Sequence, residues 1–455
     1  MSIIKLITNF KKKNRILFTT PSHNQGSFII PKSEKLLGKR YFEADYSEIE
    51  GFDNLAAPEG AILESQLEVA KIYDAKKSYY LINGSTSGIV AAMISTLEQN
   101  DKVLIARNCH KSVYNGLVLT GAYPVWVTPR FNQDWGIFKP IGAKEIEQSL
   151  AENMGVKAVI ITSPTYEGMI SDIGKISQIC KEKNVKLIVD EAHGALWNFD
   201  KTIGTPAIYS GADISVQSLH KTSGAINPSA ILHISHSSTI EEEKITNALN
   251  LINTTSPSYP LMANMEATIE YLNSKKGKEK ISKLTNDIIK FKNDLSKFDN
   301  IHIFYENNDI TKILIKIDGL SGFELSDKLF EKYKIEDELA NEKSVLFLTG
   351  IGTNPKKLKK LQQALVKISK KLKKEEITEQ EYIARECVEP KVVFTPAKVY
   401  NQEYKIAKLE DSVGKICNEL VVKYPPGMPV IVPGELIQQE HVDFLREKET
   451  IKILP

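Results

Sequence analysis

The sequence has few features of a secreted, membrane-spanning or metal-binding protein. Its four cysteines lie far apart and form no Cys-x-x-Cys pair, which argues against a disulfide framework or a zinc site and suits a reducing compartment. No apolar run approaches the roughly 20 residues that a membrane-spanning helix needs. The apolar start of the chain is followed by lysines rather than preceded by them, the reverse of a signal peptide. We therefore expect a cytoplasmic protein with no metal site and no membrane contact.

The chain also lacks a marked excess of charge of either sign. Its 59 lysines and arginines against 57 aspartates and glutamates give a formal net charge of +2, which argues against a nucleic-acid partner. With 42% hydrophobic and 25% charged residues, the composition is that of an ordinary globular protein. A chain of 455 residues is long enough for two or three domains.

The stretch 213–225 brings one lysine to the end of a predicted strand. Apolar residues alternate through Ile214 and Val216, and a Ser-Leu-His-Lys cluster that ends at Lys221 follows, before a turn-prone Thr-Ser-Gly. A lysine held beside a histidine at a strand end suits covalent bonding to the carbonyl group of a cofactor.

A second predicted strand, 185–190, ends in an acidic residue. Asp190 closes this strand and His193 follows three residues later. An aspartate at one strand end and a lysine at another are the pair that pyridoxal phosphate requires, because the carboxylate keeps the pyridine nitrogen protonated and the lysine holds the aldehyde. Asp190 and Lys221 therefore predict a site for pyridoxal phosphate.

Strands and helices alternate through the first half of the chain. We expect helices near 61–75, 143–153 and 172–183, and strands near 79–82, 103–106, 123–127, 157–162, 186–190, 214–218 and 230–234. This alternation predicts an α/β protein with a mostly parallel central sheet. In such sheets, functional sites lie at the carboxyl ends of the strands.

A loop rich in small hydroxyl residues follows the first of these strands. It comprises residues 83–88, and the next helix is predicted to begin near Ile89. Backbone N–H groups at a helix N-terminus, together with the hydroxyls of Ser85, Thr86 and Ser87, can bind a phosphate. Such a loop alone is often only a helix cap, but the aspartate and lysine downstream favour the phosphate role.

Five motifs, in order along the chain, resemble those of the bacterial Orn/Lys/Arg decarboxylases, which have PLP fold type I, the aspartate-aminotransferase fold. The motifs are Asn83-Gly-Ser-Thr-Ser-Gly88, Arg107-Asn-Cys-His-Lys-Ser112, Asp190-Glu-Ala-His-Gly194, Ser218-Leu-His-Lys221 and Tyr424-Pro-Pro-Gly-Met-Pro with Val432-Pro-Gly-Glu435. The resemblance is to the short biosynthetic forms without an N-terminal wing. The chain departs from the family's pattern at Asn227-Pro228 and Pro396-Ala-Lys398, which leaves the substrate open.

The resemblance implies a domain plan and a cofactor. It implies an N-terminal arm (1–60), a PLP-binding large domain (61–270), a small α+β domain (271–378) and a C-terminal decarboxylase domain (379–455). His110 would stack on the cofactor ring and share the catalytic work with Lys221, Asp190 and His220. For His220 two roles stay open, proton donor to the substrate or donor to the phosphate. The implied cofactor contacts are Ser85, Thr86, Ser87, His110, Thr165, Asp190, His193, Ser218, His220 and Lys221.

The resemblance also implies that the protein works at least as a homodimer. A polar loop, 252–259, matches a family segment that reaches the cofactor of a neighbouring subunit. Thr254, Thr255 and Ser256 are therefore candidate phosphate ligands in the partner's site.

The family acts on basic amino acids, so a cationic substrate side chain needs carboxylates. Asp45 and Asp53, from an acidic run near the N-terminus, and Glu435, from a proline-rich corner, are the candidates. A solvated acidic loop is an equally good interpretation of that run. We favour decarboxylation of arginine to agmatine, while lysine to cadaverine and ornithine to putrescine stay open.

An aminotransferase is the main alternative on this fold, and a PLP-binding pseudoenzyme is another. Aminotransferases of this architecture generally hold the substrate α-carboxylate with an arginine from the small domain, but this chain has no arginine between Arg130 and Arg385. A reaction that expels the carboxylate has less need to grip it, which favours decarboxylation. The presence of His110, Asp190 and Lys221 together argues against a pseudoenzyme.

Overall fold

The N-terminal 60 residues form an arm of short helices joined by turns. The computed structural model describes residues 2–13, 15–306, 309–372, 388–423 and 428–455. The helices of the arm are α1 (Ile3–Lys12), α2 (Pro31–Leu37) and α3 (Lys39–Glu43). The amphipathic α1 buries Ile3 and Phe10, and the Ile3 N–H donates to the buried carboxylate of Glu266 over 2.8 Å. The start of the chain is thereby fixed to the large domain.

A seven-stranded sheet forms the centre of the large domain. The strands of this part of the chain are β1 (Lys77–Leu81), β2 (Lys102–Ala106), β3 (Tyr123–Val127), β4 (Phe131–Asn132), β5 (Ile137–Phe138), β6 (Val156–Thr162), β7 (Lys186–Asp190), β8 (Ile214–Ser218) and β9 (Ala230–Ile234). The order in the sheet is β1-β9-β8-β7-β6-β2-β3, and β4 and β5 pair separately. β9 runs antiparallel to the other six strands of this sheet, so the predicted α/β fold with a mostly parallel sheet is confirmed.

Helices cover both faces of this sheet. They are α4 (Ala61–Ile72), α5 (Gly84–Thr96), α6 (Lys111–Thr120), α7 (Ala143–Glu152), α8 (Ile173–Glu182), α9 (Leu219–Thr222), α10 (Glu242–Ile252) and α11 (Tyr259–Asn273). The strands are buried on both faces, as expected where helices pack on either side. Gly88 lets α5 lie close against the sheet, because a Cβ there would be 2.5 Å from Leu81 and 2.7 Å from Val216.

A smaller α+β unit follows the large domain. Its elements are α12 (Lys275–Leu295), β10 (Ile301–Ile303), β11 (Lys312–Ile317), α13 (Gly322–Tyr333), β12 (Leu339–Ala340), β13 (Val345–Leu348) and α14 (Pro355–Lys371). The four strands form an antiparallel sheet in the order β10-β11-β13-β12. The basic helix α14 buries its leucine stripe against this unit, in agreement with a packed rather than a membrane-bound helix.

The C-terminal unit is built from short elements. They are α15 (Pro396–Val399), β14 (Lys405–Lys408), β15 (Val421–Lys423), β16 (Met428–Ile431), α16 (Gln439–Phe444) and β17 (Thr450–Ile453). A separate small core of aliphatic residues holds the unit together. Residues 424–427, the first part of the predicted proline-rich corner, lie outside the described residues. Within the part of the chain that the structure describes, no helix is long and apolar enough to cross a membrane.

Candidate active site

The site lies where the carboxyl ends of parallel strands meet at one edge of the large sheet. Asp190 closes β7 and is the register partner of Thr162 on β6 and of Val216 on β8. Lys221 follows β8 within α9, and His110 follows β2 at the start of α6. Parallel strands end at a common edge, so residues far apart in the sequence come together there.

The Lys221 amine faces an imidazole. Its Nζ lies 2.9 Å from Nε2 of His193 and 5.5 Å from the centre of the Tyr166 ring. Burial lowers the pKa of Lys221, the carboxylates of Asp190 and Glu338 oppose this shift, and Lys312 adds to it. A lowered pKa raises the fraction of neutral amine, which is the form that attacks a carbonyl carbon.

His193 presents an uncharged ring to this lysine. The residue is 3% exposed, and its ring is tilted against that of Tyr166 with 4.4 Å between the centroids. Burial holds the pKa of His193 well below its ordinary value, and the charges of Lys221 and Lys312 lower it further. Nε2 of the neutral ring can therefore accept a hydrogen bond from the Lys221 amine.

His110 caps the helix that follows β2. Its Nδ1 accepts a hydrogen bond from the N–H of Ser112 over 3.2 Å, so its side chain is the N-cap of α6. Burial lowers the pKa of His110, the Asp190 carboxylate opposes this, and Lys221 adds to it. With Nδ1 used as an acceptor, the proton of the neutral ring is on Nε2.

Asp190 is held by its own backbone turn. Its Oδ1 accepts from the N–H of Ala192 over 3.1 Å, and the residue is 4% exposed. The carboxylate therefore has a fixed place within electrostatic range of His110 and Lys221. Such a rigid carboxylate suits the pyridine nitrogen of the cofactor.

The hydroxyl-rich loop is part of a helix rather than a separate turn. The expected start near Ile89 is wrong, because α5 begins at Gly84 and carries the three hydroxyl residues on its first turn. The N–H groups of a first turn have no partners within the helix, which is why small polar residues are favoured there. Ser87 donates to the Gly84 carbonyl over 2.8 Å, whereas Ser85 and Thr86 are half-buried at the helix start.

Two further predicted cofactor contacts, Thr165 and His220, differ in whether protein partners already occupy their polar atoms. The hydroxyl of Thr165 bonds to the Glu167 carboxylate and accepts from the N–H of Met169, so it is used within its own turn. His220 places Nδ1 2.9 Å from the Ser229 carbonyl oxygen, which leaves Nε2 for another partner. Burial lowers the pKa of His220 and the bond to Ser229 opposes this.

Several buried hydroxyls at the end of β8 have no protein partner among the described residues. They belong to Ser218, Thr222, Ser223 and Ser229. Buried polar groups are normally hydrogen-bonded, so unpaired ones at one strand end indicate a polar ligand. Together with the N-terminus of α5, the Asp190 carboxylate and the Lys221 amine, this set of donors and acceptors fits pyridoxal phosphate.

All three predicted substrate carboxylates have a partner in the protein, but only Asp53 and Glu435 are buried among their partners. Asp53 is the first of these two. Its oxygens accept hydrogen bonds from five backbone N–H groups, those of Asn54, Glu59, Gly60, Ile62 and Leu63. Burial raises the pKa of Asp53, but these backbone bonds outweigh it and hold the pKa below its ordinary value. Asp53 therefore fixes the loop before α4, and the substrate prediction for it is corrected.

Glu435 is the second carboxylate that needs a correction. Its two oxygens accept from the guanidinium of Arg107 over 2.7 and 2.9 Å, and Arg107 also packs over the Trp126 ring. Both members of the pair are at most 1% exposed. The bidentate pair joins the C-terminal unit to the large domain, and the Val432 N–H also donates to Oε2, so both carboxylate oxygens are used within the protein.

Asp45 stays a predicted substrate contact. Its carboxylate is 3.2 Å from Nε2 of His23, and 29% of its side chain is exposed. Residues 254–256 of the polar loop are likewise exposed on the protomer.

The small domain supplies two charged residues that the sequence did not indicate. Glu338 precedes β12 and is exposed on the protomer. Partial desolvation by its neighbours raises the pKa of its carboxyl, and the charge of Lys221 opposes this shift. Lys312 begins β11 and donates to the main-chain carbonyl of His193 over 2.9 Å. No short motif marks either residue, and only the folded chain places them beside the large-domain strand ends.

The chain matches two family models. Residues 2–314 match the major domain of the Orn/Lys/Arg decarboxylases, and residues 376–454 match the C-terminal domain of the same family. The arginine decarboxylase of Bacillus subtilis (strain 168) is 27% identical over 97% of this chain and 92% of its own length. The constitutive lysine decarboxylase of Escherichia coli (strain K12) is 23% identical over 97% of this chain and 76% of its own length.

Solved structures agree on the fold. The constitutive lysine decarboxylase of Escherichia coli superposes with a TM-score of 0.85 at 20% identity, over 100% of this chain and 82% of the other. Lysine decarboxylase A from Pseudomonas aeruginosa gives a TM-score of 0.87 at 18% identity, over 100% and 80%. The cofactor of this site is pyridoxal phosphate, in keeping with the fold and the residues that surround Lys221. The chain belongs to the Orn/Lys/Arg decarboxylase family.

Proposed function

We propose that the protein decarboxylates a long basic amino acid with pyridoxal phosphate, and that arginine is the preferred substrate. The observation that carries the proposal is the Lys221 amine, held against a neutral imidazole at the end of one strand, with Asp190 at the end of the next. Arginine is placed first because the Bacillus subtilis relative is named an arginine decarboxylase and is 27% identical, against 23% for the Escherichia coli lysine decarboxylase.

Each residue of the site has a separate task in this reaction. Lys221 would hold the cofactor aldehyde and give it up to the substrate amine, and its lowered pKa would favour the neutral amine that this needs. Asp190 would keep the pyridine nitrogen protonated, and His110 would stack on the cofactor ring. Pyridoxal phosphate, when bound, takes up the electrons left as the bond from Cα to the carboxylate breaks. Lys221 or His220 then returns a proton to Cα.

Aminotransfer is less well supported by the residues of the small domain. A bidentate grip on the substrate α-carboxylate needs a guanidinium, and the chain has no arginine between Arg130 and Arg385. Glu338 and Lys312 of the small domain both lie within electrostatic range of Lys221; the Lys312 charge is paired with Asp309, and Glu338 contributes a carboxylate. A carboxylate there repels an α-carboxylate and attracts a cationic side chain, which suits a basic substrate that loses CO2.

We also propose that the working unit is at least a homodimer. The arm carries apolar side chains that are largely exposed on one protomer, Ile16 at 86%, Phe18 at 96% and Leu36 at 82%. Exposed apolar side chains of this number on one segment favour a second copy as their cover. Asp45 and the loop 254–256 would then face the partner's site, where the sequence predicts substrate and phosphate contacts.

A cytoplasmic location fits the sulfur chemistry. The described cysteines Cys109, Cys180 and Cys417 are free and buried. Free, buried thiols suit a reducing compartment, and we propose the cytoplasm on that ground.

The product identifies the reaction. Purified protein with pyridoxal phosphate is incubated with arginine, lysine and ornithine separately, and the products are identified by mass spectrometry. The proposal expects agmatine, cadaverine or putrescine with release of CO2, and agmatine fastest. A 2-oxo acid with conversion of the cofactor to its amine form would indicate an aminotransferase. Neither product from any of the three would indicate a pseudoenzyme.

A further inference from the structure

A buried ion pair at the start of β11 lies next to the candidate site. Lys312 Nζ is 2.7 Å from Asp309 Oδ2, and both side chains are at most 1% exposed. The same Nζ donates to Thr311 Oγ1 over 3.1 Å and to the main-chain carbonyl oxygen of His193 over 2.9 Å. These three acceptors match the three N–H donors of an ammonium group.

The pair reaches the large domain at further points. Trp197 donates its indole N–H to Asp309 Oδ2 over 3.0 Å, and the Asp309 N–H donates to the Gly168 carbonyl over 2.9 Å. Gly168 has φ +90°, and a Cβ there would lie 3.0 Å from the Asp309 carbonyl oxygen and 3.0 Å from Lys312 Cβ. The two backbones thus approach so closely that only glycine fits at this junction.

His193 connects this junction to the reacting amine. Its main-chain carbonyl accepts from Lys312, while its ring lies 2.9 Å from Lys221 Nζ. Trp197, four residues further on, is bound to the same carboxylate as Lys312. The segment 193–197 is therefore held at both ends by one ion pair of the small domain.

We infer that Lys312, paired with Asp309, is a positioning residue that holds the His193 ring against the Lys221 amine. The inference rests on the proposed function, because it gives the pair a part in cofactor chemistry at Lys221. Stability alone is a weak reason for such a pair, since well-packed hydrophobic residues often replace buried ion pairs at no cost. The contacts to His193 and Trp197 give it a geometric task that hydrophobic residues cannot perform.

The test removes both charges together. In the double variant Lys312→Met/Asp309→Asn the net charge of the site is unchanged, but the Lys312 charge that lowers the pKa of Lys221 is lost with the pair. Only the part of an altered Lys221 property that disappears when His193 is also replaced therefore reports position. With arginine as substrate, kcat/KM is expected to fall by about tenfold or more, because a misplacement of about 1 Å can cost up to about 10²-fold. The pH midpoint of the near-visible cofactor band is expected to shift in the same variant.

A second background separates positioning from a general loss of structure. If the pair acts through His193, the same double change made in His193→Ala should lower kcat/KM by less than about twofold, since residues of one network are not additive. An equal fall in both backgrounds, or a band midpoint that stays in place, would overturn the inference. A wild-type protein that shows neither the near-visible cofactor band nor amine formation would instead count against the proposed function.

Two further variants keep the test decisive. Trp197→Phe removes one donor to Asp309 and should shift the pH midpoint of the band in the same direction by a smaller amount. This variant replaces the double variant if the double variant does not fold. An unshifted midpoint in Trp197→Phe would overturn the inference. Lys292→Met is the matched control. Lys292 is also buried in the small domain, but it donates to the Lys312 carbonyl rather than to the large domain. Its midpoint should equal that of the wild type.

Discussion

Two lysines with different surroundings contribute to the candidate site. Lys312 has a carboxylate oxygen at 2.7 Å and two further acceptors, and it is completely buried. Lys221 has a neutral imidazole at 2.9 Å, and burial lowers its pKa. Burial alone therefore does not make a lysine reactive. Lys312 is held in place by a carboxylate and two further acceptors, whereas Lys221 faces a neutral nitrogen and has a lowered pKa, which favours the reactive neutral amine.

The largest expected effect is the loss of turnover on replacement of Lys221, the reactive one of the two lysines. Lys221→Ala should abolish turnover, because it removes the amine that we propose binds the cofactor aldehyde and releases it to the substrate. The variant should still hold pyridoxal phosphate non-covalently, as dialysis against buffer without cofactor and an absorbance spectrum will show. Wild-type-like turnover in this protein would contradict the role of Lys221.

The next effect concerns the carboxylate on the neighbouring strand. Asp190→Asn should lower kcat by about 10²-fold or more, because each pKa unit lost at the ring nitrogen is about 1.4 kcal/mol of stabilisation. Single-turnover kinetics with saturating substrate measure this step. A change of only a few-fold would show that Asp190 is not the partner of the ring.

The small-domain carboxylate should act on substrate binding instead. Glu338→Gln is expected to raise KM for a basic amino acid about tenfold, or about 1.4 kcal/mol, with a smaller change in kcat. Glu336→Gln, two residues away on the exposed surface, is the matched control and should leave KM as it is. Equal KM values in the two variants would remove Glu338 from the substrate site.

The smallest expected effect is on stability. Asp53→Asn should lower the free energy of unfolding by about 2 kcal/mol at pH 7, because it weakens a buried acceptor of backbone hydrogen bonds. The folded-state pKa of Asp53 is lowered, so this contribution is fully present above its ordinary value near pH 4 and is lost as the pH falls through the folded pKa. Urea unfolding at pH 7 and pH 3 measures both values, and KM should not change.

The sequence predicted those residues of the site that lie in short motifs at the ends of strands. Asp190, His193 and Lys221 lie in short motifs at strand ends, and the hydrophobic alternation of each strand is readable without a structure. The parallel sheet then brings the strand ends together. For this reason the fold and the cofactor were within reach of sequence reasoning.

The sequence could not assign partners to single carboxylates. Asp53 and Glu435 were predicted to bind substrate, yet one accepts from a loop of backbone N–H groups and the other pairs with Arg107, 328 residues away. Glu338 and Lys312 carry no motif, and their parts depend on how the small domain packs against the large one. Such pairings are decided by tertiary contacts, which a single sequence does not display.

Reduction of the holoenzyme with borohydride tests the central claim most directly. The reagent fixes the cofactor to the amine that holds it, and peptide mass mapping then locates the modified lysine. The account predicts loss of the near-visible band and one pyridoxyl group on Lys221, with Lys312 unmodified. A pyridoxyl group on Lys312 or another lysine, or a protein with no reducible band, would contradict it.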